Sequence, residues 1–435
     1  MNAAWVIIIW TGMAVAPDGT SPSSRLVTLS EALAHAERHQ PALRQASANA
    51  EAADARANQA RAPLLPQLTG QLTYQRTTAN FAARPGIVPL SGSSAATFRA
   101  FNFFNASVTA SQLVYDFGQT WGQFHAAAAS ASAERHNREA ALLQARQDVR
   151  LAFFAARAQK ELVAVSRANL DNAERHVDQI QGFVDIGTRP RIDLAQVRTE
   201  RANGRAQLIA AENAYLVAKA RLNQAMGLEQ DTAFDVADDS MPPVVDEDEN
   251  TAKLLERAYA ARPELQAQAQ RVLAQDAQIA AARGGYFPSL GISTTLSDVG
   301  TSFAASAWNW NAQAQLSWSL FDGLGTPART AEAHATRVAA EAQLQTQRLQ
   351  VRLELEQQHG AVRSAREALL AAQEAEASAS ERLTLAEGRY KTGAGSIIEL
   401  GDSQAAFNSA AAQRVQAEYT LASSRASLLR ALGLP

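Results

Sequence analysis

A strict alternation of apolar and polar residues marks one segment in the second half of the chain. Between Trp308 and Leu320 every second residue is apolar, and the residues between them are polar. A period of two predicts a β-strand with one apolar and one polar face. Three further segments show the same alternation, so that four strands in two hairpins are predicted; the further segments are residues 68–75, 103–112 and 290–297.

Long helical segments follow each pair of predicted strands. No break interrupts the helical pattern from residue 119 to residue 185, a run that would be about 100 Å long. Apolar residues at intervals of seven predict coiled-coil packing. These rows comprise Leu142, Val149, Ala156, Val163, Leu170, Val177 and Val184 in the first half, and Leu355, Val362, Leu369, Leu383 and Tyr390 in the second half, where Glu376 occupies the one interrupted place.

The chain repeats itself once. Residues before the first strand pair recur 222 positions later, whereas residues from Ser111 onward recur 206 positions later. The change of offset predicts 16 additional residues in one copy, between positions 69 and 110. The matched pairs include Leu33 and Leu255, Pro41 and Pro263, Arg61 and Arg283, Asp116 and Asp322, Gly187 and Gly393, and Glu212 and Glu418.

The repeat predicts a division of the chain into two structural units. Residues 17–228 form the first repeat and residues 251–435 the second, and an acidic linker over 229–250 joins them. Each repeat contains a helix, a β-hairpin, a long helix, a tip and a return helix. The first of these helices is predicted as one continuous segment, over residues 29–62 and again over 251–283.

The predicted strands fit a membrane barrel better than a soluble sandwich. About ten residues allow a tilted strand to cross the hydrocarbon layer. An isolated pattern of this kind is more often half of a sandwich, but these two hairpins lie far apart among long helices that provide no second sheet. Four strands cannot close a barrel, so the pattern predicts an oligomer. Two chains would supply eight strands around a filled interior, and three chains would supply twelve around a lumen.

An apolar stretch at the N-terminus predicts a signal peptide over residues 1–16. The stretch is too short to span a membrane, and it ends in Ala14, Val15 and Ala16, which have the small-residue pattern of a signal-peptidase site. No Lys or Arg precedes it and Pro17 follows it, so a buried hydrophobic N-terminus is the alternative interpretation.

The composition alone indicates a soluble helical protein rather than a membrane barrel. The chain has 435 residues, of which 47% are hydrophobic but only 6% aromatic, and these averages indicate a helical protein rich in alanine. The 40 Lys and Arg residues nearly balance 43 Asp and Glu residues, which disfavours a nucleic-acid partner. The absence of cysteine excludes disulfides, thiolate metal sites and lipid attachment through cysteine.

Two glycine-containing breaks, residues 182–194 and 388–400, separate the long helices from their return helices. Gly187 and Gly393 stand where a helix C-terminus needs a left-handed residue, and Pro190 suits the start of the next helix. Each break is therefore predicted to be a tight helical hairpin. With its repeat, its strand placement and the segment from Tyr390 to Gln404, the chain resembles the outer membrane efflux protein (TolC) family over residues 29–434.

The resemblance implies a mainly α-helical fold with a membrane β-barrel, completed by a homotrimer. Twelve strands would form one barrel in outer-membrane lipid, and the long helices would continue it as a periplasmic tunnel, with the linker over 229–250 in the equatorial region. The implied function is a passive exit duct for small molecules such as drugs and toxic compounds. It would receive them from an inner-membrane transporter through a periplasmic adaptor protein, without a cofactor and without enzymatic activity.

The resemblance also assigns roles to residues at the tips. The adaptor contacts would be Ile186, Gly187, Thr188, Thr392, Gly393 and Ala394. The acidic residues that constrict the tunnel end would be Asp193, Glu399 and Asp402. In the family a basic residue at the second tip helps to hold the closed state, but here Gly395 occupies that place, while Arg189 and Arg191 lie in the first tip.

The same acidic residues also suit the ends of helices. Ser396 and Glu399 have the spacing of a capping box, and Asp193 lies in a first helical turn, where the helix dipole stabilises a carboxylate. Asp402 lies one turn further in, so gating is the better interpretation for it. Rings of carboxylates in a narrow pore favour cations and repel one another.

The sequence contains no catalytic constellation. His35 and His39 have helical spacing and could bind a metal ion, but no third ligand is near them in the sequence, so solvated side chains are expected. The acidic run from Asp246 to Glu249 is predicted to be a solvated linker rather than a calcium site. Two alternative functions remain at this stage: a type I secretion channel for a protein substrate, and a non-channel coiled-coil structural protein of the envelope.

Overall fold

The computed structural model describes residues 25–78, 100–229, 233–302 and 304–435. The predicted signal peptide over residues 1–16 lies outside the described residues. Within them, no helix combines the length and the apolar character needed to cross a membrane. The fold is mostly helical, with one sheet of four strands and a second pair of very short strands.

Both repeats contain the same succession of elements. The first consists of β1 (Arg25–Val27), α1 (Leu29–His39), α2 (Pro41–Arg61), a 3-10 turn (Ala62–Leu64), β2 (Gln67–Thr78), β3 (Ala100–Tyr115), α3 (Gln119–Asp185) and α4 (Arg191–Met226). The second consists of β4 (Phe234–Val236), α5 (Thr251–Ala261), α6 (Pro263–Gly284), β5 (Ser289–Gly300), β6 (Ser306–Ser317), α7 (Gly325–Lys391) and α8 (Ile397–Ala431). The two long helices, α3 and α7, have 67 residues each.

The prediction of one continuous helix before each hairpin is wrong. Each of these segments is two helices, and the break lies at Gln40 in the first repeat and at Arg262 in the second. Both residues have extended backbone angles because each precedes a proline, at positions 41 and 263. The proline ring clashes with a helical conformation of the preceding residue and offers no N–H for the helix ladder.

The two hairpins join into one antiparallel sheet in the order β2, β3, β5, β6. Residues 79–99 separate β2 from β3, whereas residues 301–305 separate β5 from β6, so the 16-residue difference between the repeats falls in this connection. The pairing of β3 with β5 brings together hairpins that are distant in sequence. Strands β2 and β6 form the two edges of the sheet.

The sheet has the two faces that the alternation predicts. One transverse row on the apolar face contains Gly70, Val108, Leu296 and Trp310, and the adjacent row on the polar face contains Gln71, Ser107, Ser297 and Asn309. Along β5, side chains on the apolar face are more exposed than those on the polar face. The apolar face therefore points outward from this chain, and Trp308 is 76% exposed.

The short parallel pair of β1 and β4 was not predicted, because three residues are too few to show a period. The pair is held against the long helices by lysines that donate hydrogen bonds to the backbone of β4. Lys160 Nζ lies 2.7 Å from the carbonyl oxygen of Val236, and Lys219 Nζ lies 3.2 Å from that of Phe234. The segment after the first repeat is thus fixed to α3 and α4.

The acidic run from Asp246 to Glu249 is not a solvated linker throughout, because Glu247 is only 6% exposed. Its carboxylate accepts two hydrogen bonds from Arg425, with Nη2 at 2.8 Å and Nε at 3.0 Å. The backbone N–H of Val244 donates a further hydrogen bond at 2.9 Å. The prediction failed here because the partner guanidinium comes from α8, near the other end of the chain.

Both transitions from strand to long helix use the same carboxylate cap. Asp116 Oδ2 accepts hydrogen bonds from the backbone N–H of Thr120 at 2.7 Å and from its hydroxyl at 2.5 Å. In the second repeat Asp322 Oδ2 accepts the equivalent two bonds from Thr326, both at 2.7 Å. These bonds satisfy N–H groups that the first turn of a helix leaves free.

Below this transition, α3 and α6 approach closely at two glycines. A Cβ on Gly122 would lie 2.6 Å from the backbone nitrogen of Ala281, and a Cβ on Gly284 would lie 2.8 Å from that of Gln119. Glycine at both positions lets the two backbones come into contact, which joins the first repeat to the second beneath the sheet.

The predicted heptad rows form much of the contact between the long helices. Val149, Ala156, Leu355 and Val362 are fully or nearly fully buried in two clusters near the equatorial segment. Glu376, the charged member of the second row, pairs with Arg414 of α8 at 2.7 Å. The same guanidinium contacts two more carboxylates, those of Glu161 at 2.6 Å and Glu418 at 2.5 Å.

Candidate functional site: the two helical tips

The first tip is a tight reversal between α3 and α4. Gly187 has a φ of +75°, a backbone conformation that disfavours a side chain, and its N–H donates to the carbonyl oxygen of Val184 at 3.0 Å. Thr188 donates to the carbonyl oxygen of Phe183 through both its N–H and its hydroxyl, each at 2.9 Å. Pro190 follows in an extended conformation, and α4 begins at the next residue.

The second tip repeats this geometry between α7 and α8. Gly393 has a φ of +79°, and the N–H groups of Ala394 and Gly395 donate to the carbonyl oxygen of Arg389 at 2.9 and 3.0 Å. Ser396 caps α8, since its hydroxyl oxygen accepts the N–H of Glu399 at 3.1 Å. A glycine with a left-handed backbone conformation therefore forms the turn of both hairpins.

All six residues to which the resemblance assigns adaptor contact lie at the surface of the two turns, and Ile186 is 72% exposed. The residues are Ile186, Gly187 and Thr188 in the first tip, and Thr392, Gly393 and Ala394 in the second. An exposed isoleucine between polar and small residues offers an apolar contact point to another protein.

The three predicted aperture residues lie in three different environments within one chain. Asp193 is 8% exposed in the first turn of α4, Glu399 is partly buried, and Asp402 is exposed one turn further along α8. Glu399 pairs with Arg389 across the second tip, with Nη1 and Oε1 3.1 Å apart. Within the described part of one chain, the three carboxylates do not form a group that could hold a metal ion.

The capping box predicted at Ser396 is only half formed. The serine hydroxyl caps the helix as expected, but the Glu399 side chain turns to Arg389 instead of the backbone N–H of Ser396. A complete capping box does occur at Thr28 and Glu31, at the start of α1. A charged partner within reach gives the Glu399 carboxylate a stronger hydrogen bond than a neutral backbone donor.

A contact between the two tips was not predicted from the sequence. The Cζ atom of Arg189 in the first tip lies 4.8 Å from the ring centroid of Tyr390 in the second. Tyr390 is 2% exposed, and its hydroxyl has no hydrogen-bond partner among the described residues. Burial raises the pKa of Tyr390, the Arg189 charge opposes this shift and Asp193 adds to it. The basic residues of the first tip indicated that a charged contact could form there, but the sequence does not show which residue they face.

An apolar cluster holds the two tips together beneath this contact. It contains residues of α3, α4, α7 and α8. Its buried members are Val177 and Ile180 of α3, Leu194 and Val197 of α4, Leu383, Ala386 and Tyr390 of α7, and Ile397 and Leu400 of α8.

A polar groove of about 550 Å³ lies above the apolar cluster, between α3, α4 and α8. Asn408 of α8 donates to the side-chain oxygen of Asn169 of α3 at 2.5 Å, and Gln404 donates to Asn408 at 3.0 Å. His176 and Asp402 also line the groove, and burial lowers the pKa of His176. The two helical hairpins are thus joined by apolar contacts at the tips and by hydrogen bonds above them.

His35 and His39, whose side chains were expected to be solvated, lie at the surface of α1, where His39 is exposed and His35 is partly buried. His39 Nδ1 lies 3.0 Å from the carbonyl oxygen of His35, and His35 Nε2 lies 3.2 Å from Arg25 Nη2. Across the residues that the structure describes, no group of three or more metal-binding side chains comes together.

A family model described as outer membrane efflux protein matches residues 32–228 and 254–434. The two matched segments together cover most of the chain and correspond to its two repeats. A comparison with curated proteins yields no match.

Several solved structures share the fold. A membrane protein from Pseudomonas aeruginosa has a TM-score of 0.80 and 21% identity, covering 99% of this chain and 98% of its own. The Campylobacter jejuni CmeC outer membrane channel has a TM-score of 0.80 and 18% identity, covering 98% and 93%. The open state of the Neisseria gonorrhoeae MtrE outer membrane channel has a TM-score of 0.76 and 20% identity, covering 98% and 95%.

Proposed function

The chain belongs to the outer membrane efflux protein family, and from this premise we propose that three copies form the exit duct of a tripartite export system. It is an outer-membrane efflux channel that extends into the periplasm. The proposed duct passively conducts small molecules from an inner-membrane transporter and a periplasmic adaptor to the exterior.

The open four-stranded sheet is the observation that supports a trimer. Its apolar face is exposed, and β2 and β6 present unpaired edges within the described chain. An open edge in lipid would leave backbone N–H and C=O groups without partners, so the edges of different copies must pair. Twelve strands from three copies enclose a lumen, whereas eight strands from two copies enclose an interior filled by side chains.

The length of the sheet supports its placement across a membrane. Trp308 and Trp318 lie near the two ends of β6, and ten residues of strand span about 33 Å. A tilt of about 45° reduces this length to about 23 Å, close to the apolar band of about 25 Å in outer-membrane barrels. The two tryptophans then lie at the two lipid interfaces, where the amphipathic indole ring is stabilised.

We propose that the tips form the periplasmic entrance of the duct. The six exposed turn residues, from Ile186 to Thr188 and from Thr392 to Ala394, would contact the adaptor. Asp193, Glu399 and Asp402 from three copies would line the aperture as rings of carboxylates. The contact of Arg189 with Tyr390 and the pair of Arg389 with Glu399 stabilise the closed arrangement in place of the basic residue that is replaced by Gly395.

Ion conductance of the purified protein in a planar lipid bilayer tests the proposal. A trimeric duct gives discrete single-channel steps with cation selectivity. A coiled-coil structural protein of the envelope gives no steps at any voltage, and that result would reject the proposed function. Accumulation of a fluorescent efflux substrate in cells that lack the chain, and its reversal when the full chain is restored, tests the small-molecule cargo.

A further inference from the structure

Among the four helices that meet at the tips, contacts link α4 to α3, α3 to α8 and α8 to α7. Each of the two inner helices contacts a helix of its own chain on both sides. The outer helices, α4 and α7, each leave one side uncovered. A ring in which the copies meet through these outer sides places α4 of one copy beside α7 of the next.

The uncovered side of α4 carries a row of arginines. Arg191, Arg198 and Arg205 follow one another at intervals of seven, and all three are exposed. Arg198 donates to the side-chain oxygen of Gln181 at 2.9 Å, and Arg205 has no ion-pair partner in the part of the chain that the structure describes. Residues seven apart lie on the same side of a helix, so the three guanidinium groups form one basic row.

The uncovered side of α7 carries the matching acidic row. Glu367, Glu374 and Glu381 also follow at intervals of seven and are exposed. None of the three pairs with a cation within the described ranges 25–78, 100–229, 233–302 and 304–435. At about 100° per residue, Glu381 lies roughly opposite the buried Leu383 and Tyr390, so the row faces away from the core of its own chain.

The two rows also match in height. The tip cluster holds the start of α4 level with the end of α7. At a rise of about 1.5 Å per residue, Arg198 and Arg205 lie about 10 and 21 Å above the start of α4, whereas Glu381 and Glu374 lie about 15 and 25 Å above the end of α7. The heights of the arginines and the glutamates interleave, so positive and negative charges alternate along the contact between the two antiparallel helices.

The rows continue into exposed apolar residues farther from the tips. Ile209 and Leu216 of α4 are 59% and 51% exposed, and Leu370 of α7 is 57% exposed. By the same rise, Leu370 lies at a height between those of the two α4 residues. Apolar side chains that are exposed at the same height on both flanks are typical of surfaces that become buried together.

We propose that Arg198 and Arg205 of one copy pair with Glu374 and Glu381 of the next copy, and that this charge zipper closes the tip half of the tunnel between subunits. The partner is thus a second copy of this chain, and the inference rests on the trimer proposed above. The zipper selects the neighbouring helix, because a row of arginines attracts a row of glutamates and repels a second row of arginines.

Charge reversal of the full-length protein in detergent tests the zipper. An exposed ion pair changes an equilibrium by up to about fivefold, so Arg198→Glu with Arg205→Glu is expected to lower the trimer association constant at least tenfold, roughly. Adding Glu374→Arg and Glu381→Arg restores attraction and the trimer. Glu174→Arg with Asp178→Arg, at similar heights on the inner helix α3, leaves the trimer unchanged. If the variant with all four substitutions loses as much trimer association as the variant with the two arginine substitutions, the zipper is wrong.

A disulfide trap separates failure of the zipper from failure of the trimer. The chain has no cysteine, so Arg205→Cys with Glu374→Cys introduces the only two thiols. Oxidation of this variant in outer-membrane vesicles is expected to give covalent dimers and trimers on a non-reducing gel. If the gel shows only monomers but the protein sediments as a trimer in detergent, the zipper is wrong and the proposed duct is unaffected. A protein that sediments as a monomer overturns both.

Discussion

The guanidinium of Arg189 lies over the ring of Tyr390, 4.8 Å from its centroid, and so connects the first helical tip to the second. This contact joins two hairpins that are otherwise held by an apolar cluster and a few hydrogen bonds. We expect it to take the place of the basic residue that the family has at the second tip, where this chain has Gly395.

We expect Arg189→Ala to increase the fraction of time that the channel spends open. Arg189 is only partly buried, and a cation–π contact made by a hydrated cation contributes about 0.5–1 kcal/mol, so its loss shifts the closed-to-open ratio about two- to fivefold per chain. Single-channel recording in a planar bilayer measures the shift. Tyr390→Phe keeps the aromatic face and removes a hydroxyl that is buried without a partner, so it leaves the open fraction unchanged. An open fraction that rises only in Tyr390→Phe would contradict this role.

Replacing Asp193, Glu399 and Asp402 together with alanine is expected to reduce cation selectivity and raise conductance. The proposed carboxylate rings would attract cations, and the repulsion between the carboxylates and the cations bound to them would govern passage through the narrow end. Reversal potentials in a salt gradient measure the selectivity. If conductance and selectivity both stay at the parent values, the aperture does not lie at these residues.

Glu247→Ala is expected to destabilise the protein by about 3–5 kcal/mol, because it leaves the Arg425 guanidinium buried without its carboxylate. The thermal unfolding midpoint in detergent, followed by circular dichroism, measures the loss. The double variant Glu247→Leu with Arg425→Met removes both charges and is expected to recover most of the stability. A single variant as stable as the parent would show that the pair contributes nothing.

Gly122→Ala is expected to destabilise the protein by about 1–3 kcal/mol, since its Cβ would lie 2.6 Å from the Ala281 nitrogen and force α3 away from α6. Gly360→Ala is the matched control, because a Cβ at that helical position meets nothing within 4 Å. It should stabilise α7 by about 0.5–1 kcal/mol. Unfolding midpoints of the two variants should therefore move in opposite directions.

Ile292→Lys is expected to impair folding into vesicles by about 2–4 kcal/mol, because the residue lies on the outward apolar face near the middle of β5. Ser293→Lys places the same charge on the polar face of the same strand. This variant should fold normally and lower cation selectivity. The folded fraction after dilution into lipid vesicles distinguishes the two, and equal folding would contradict the assignment of the faces.

Local patterns were sufficient wherever the relevant contacts repeat along the chain. The alternation between Trp308 and Leu320 identified β6, because every second side chain shares one environment, although the strand itself ends at Ser317. The shift of offset from 222 to 206 located the longer connection, which separates β2 from β3. Gly187 and Gly393 identified the two tips, since a left-handed residue is a local requirement that glycine meets at low cost.

Sequence patterns failed where a single distant partner changes the environment of a residue. Glu247 belongs to an acidic run that resembles a solvated linker, and only Arg425 makes its burial favourable. Glu399 has the spacing of a capping box, but Arg389 reaches its carboxylate first. Pro41 was visible in the sequence, but the helical pattern continues on both sides of it. The sequence therefore did not predict that α1 ends before Gln40 and that α2 begins after it.

The sequence alone thus determined the duplicated architecture, the two-faced strands and the hairpin tips, because periodicity and backbone requirements act between residues that are close in the chain. Only the tertiary structure decided that Arg189 faces Tyr390, that Glu247 is buried, and that an arginine row on α4 and a glutamate row on α7 lie at the same height on opposite flanks. These relationships depend on how the two repeats pack, and a pattern within either repeat does not contain that information.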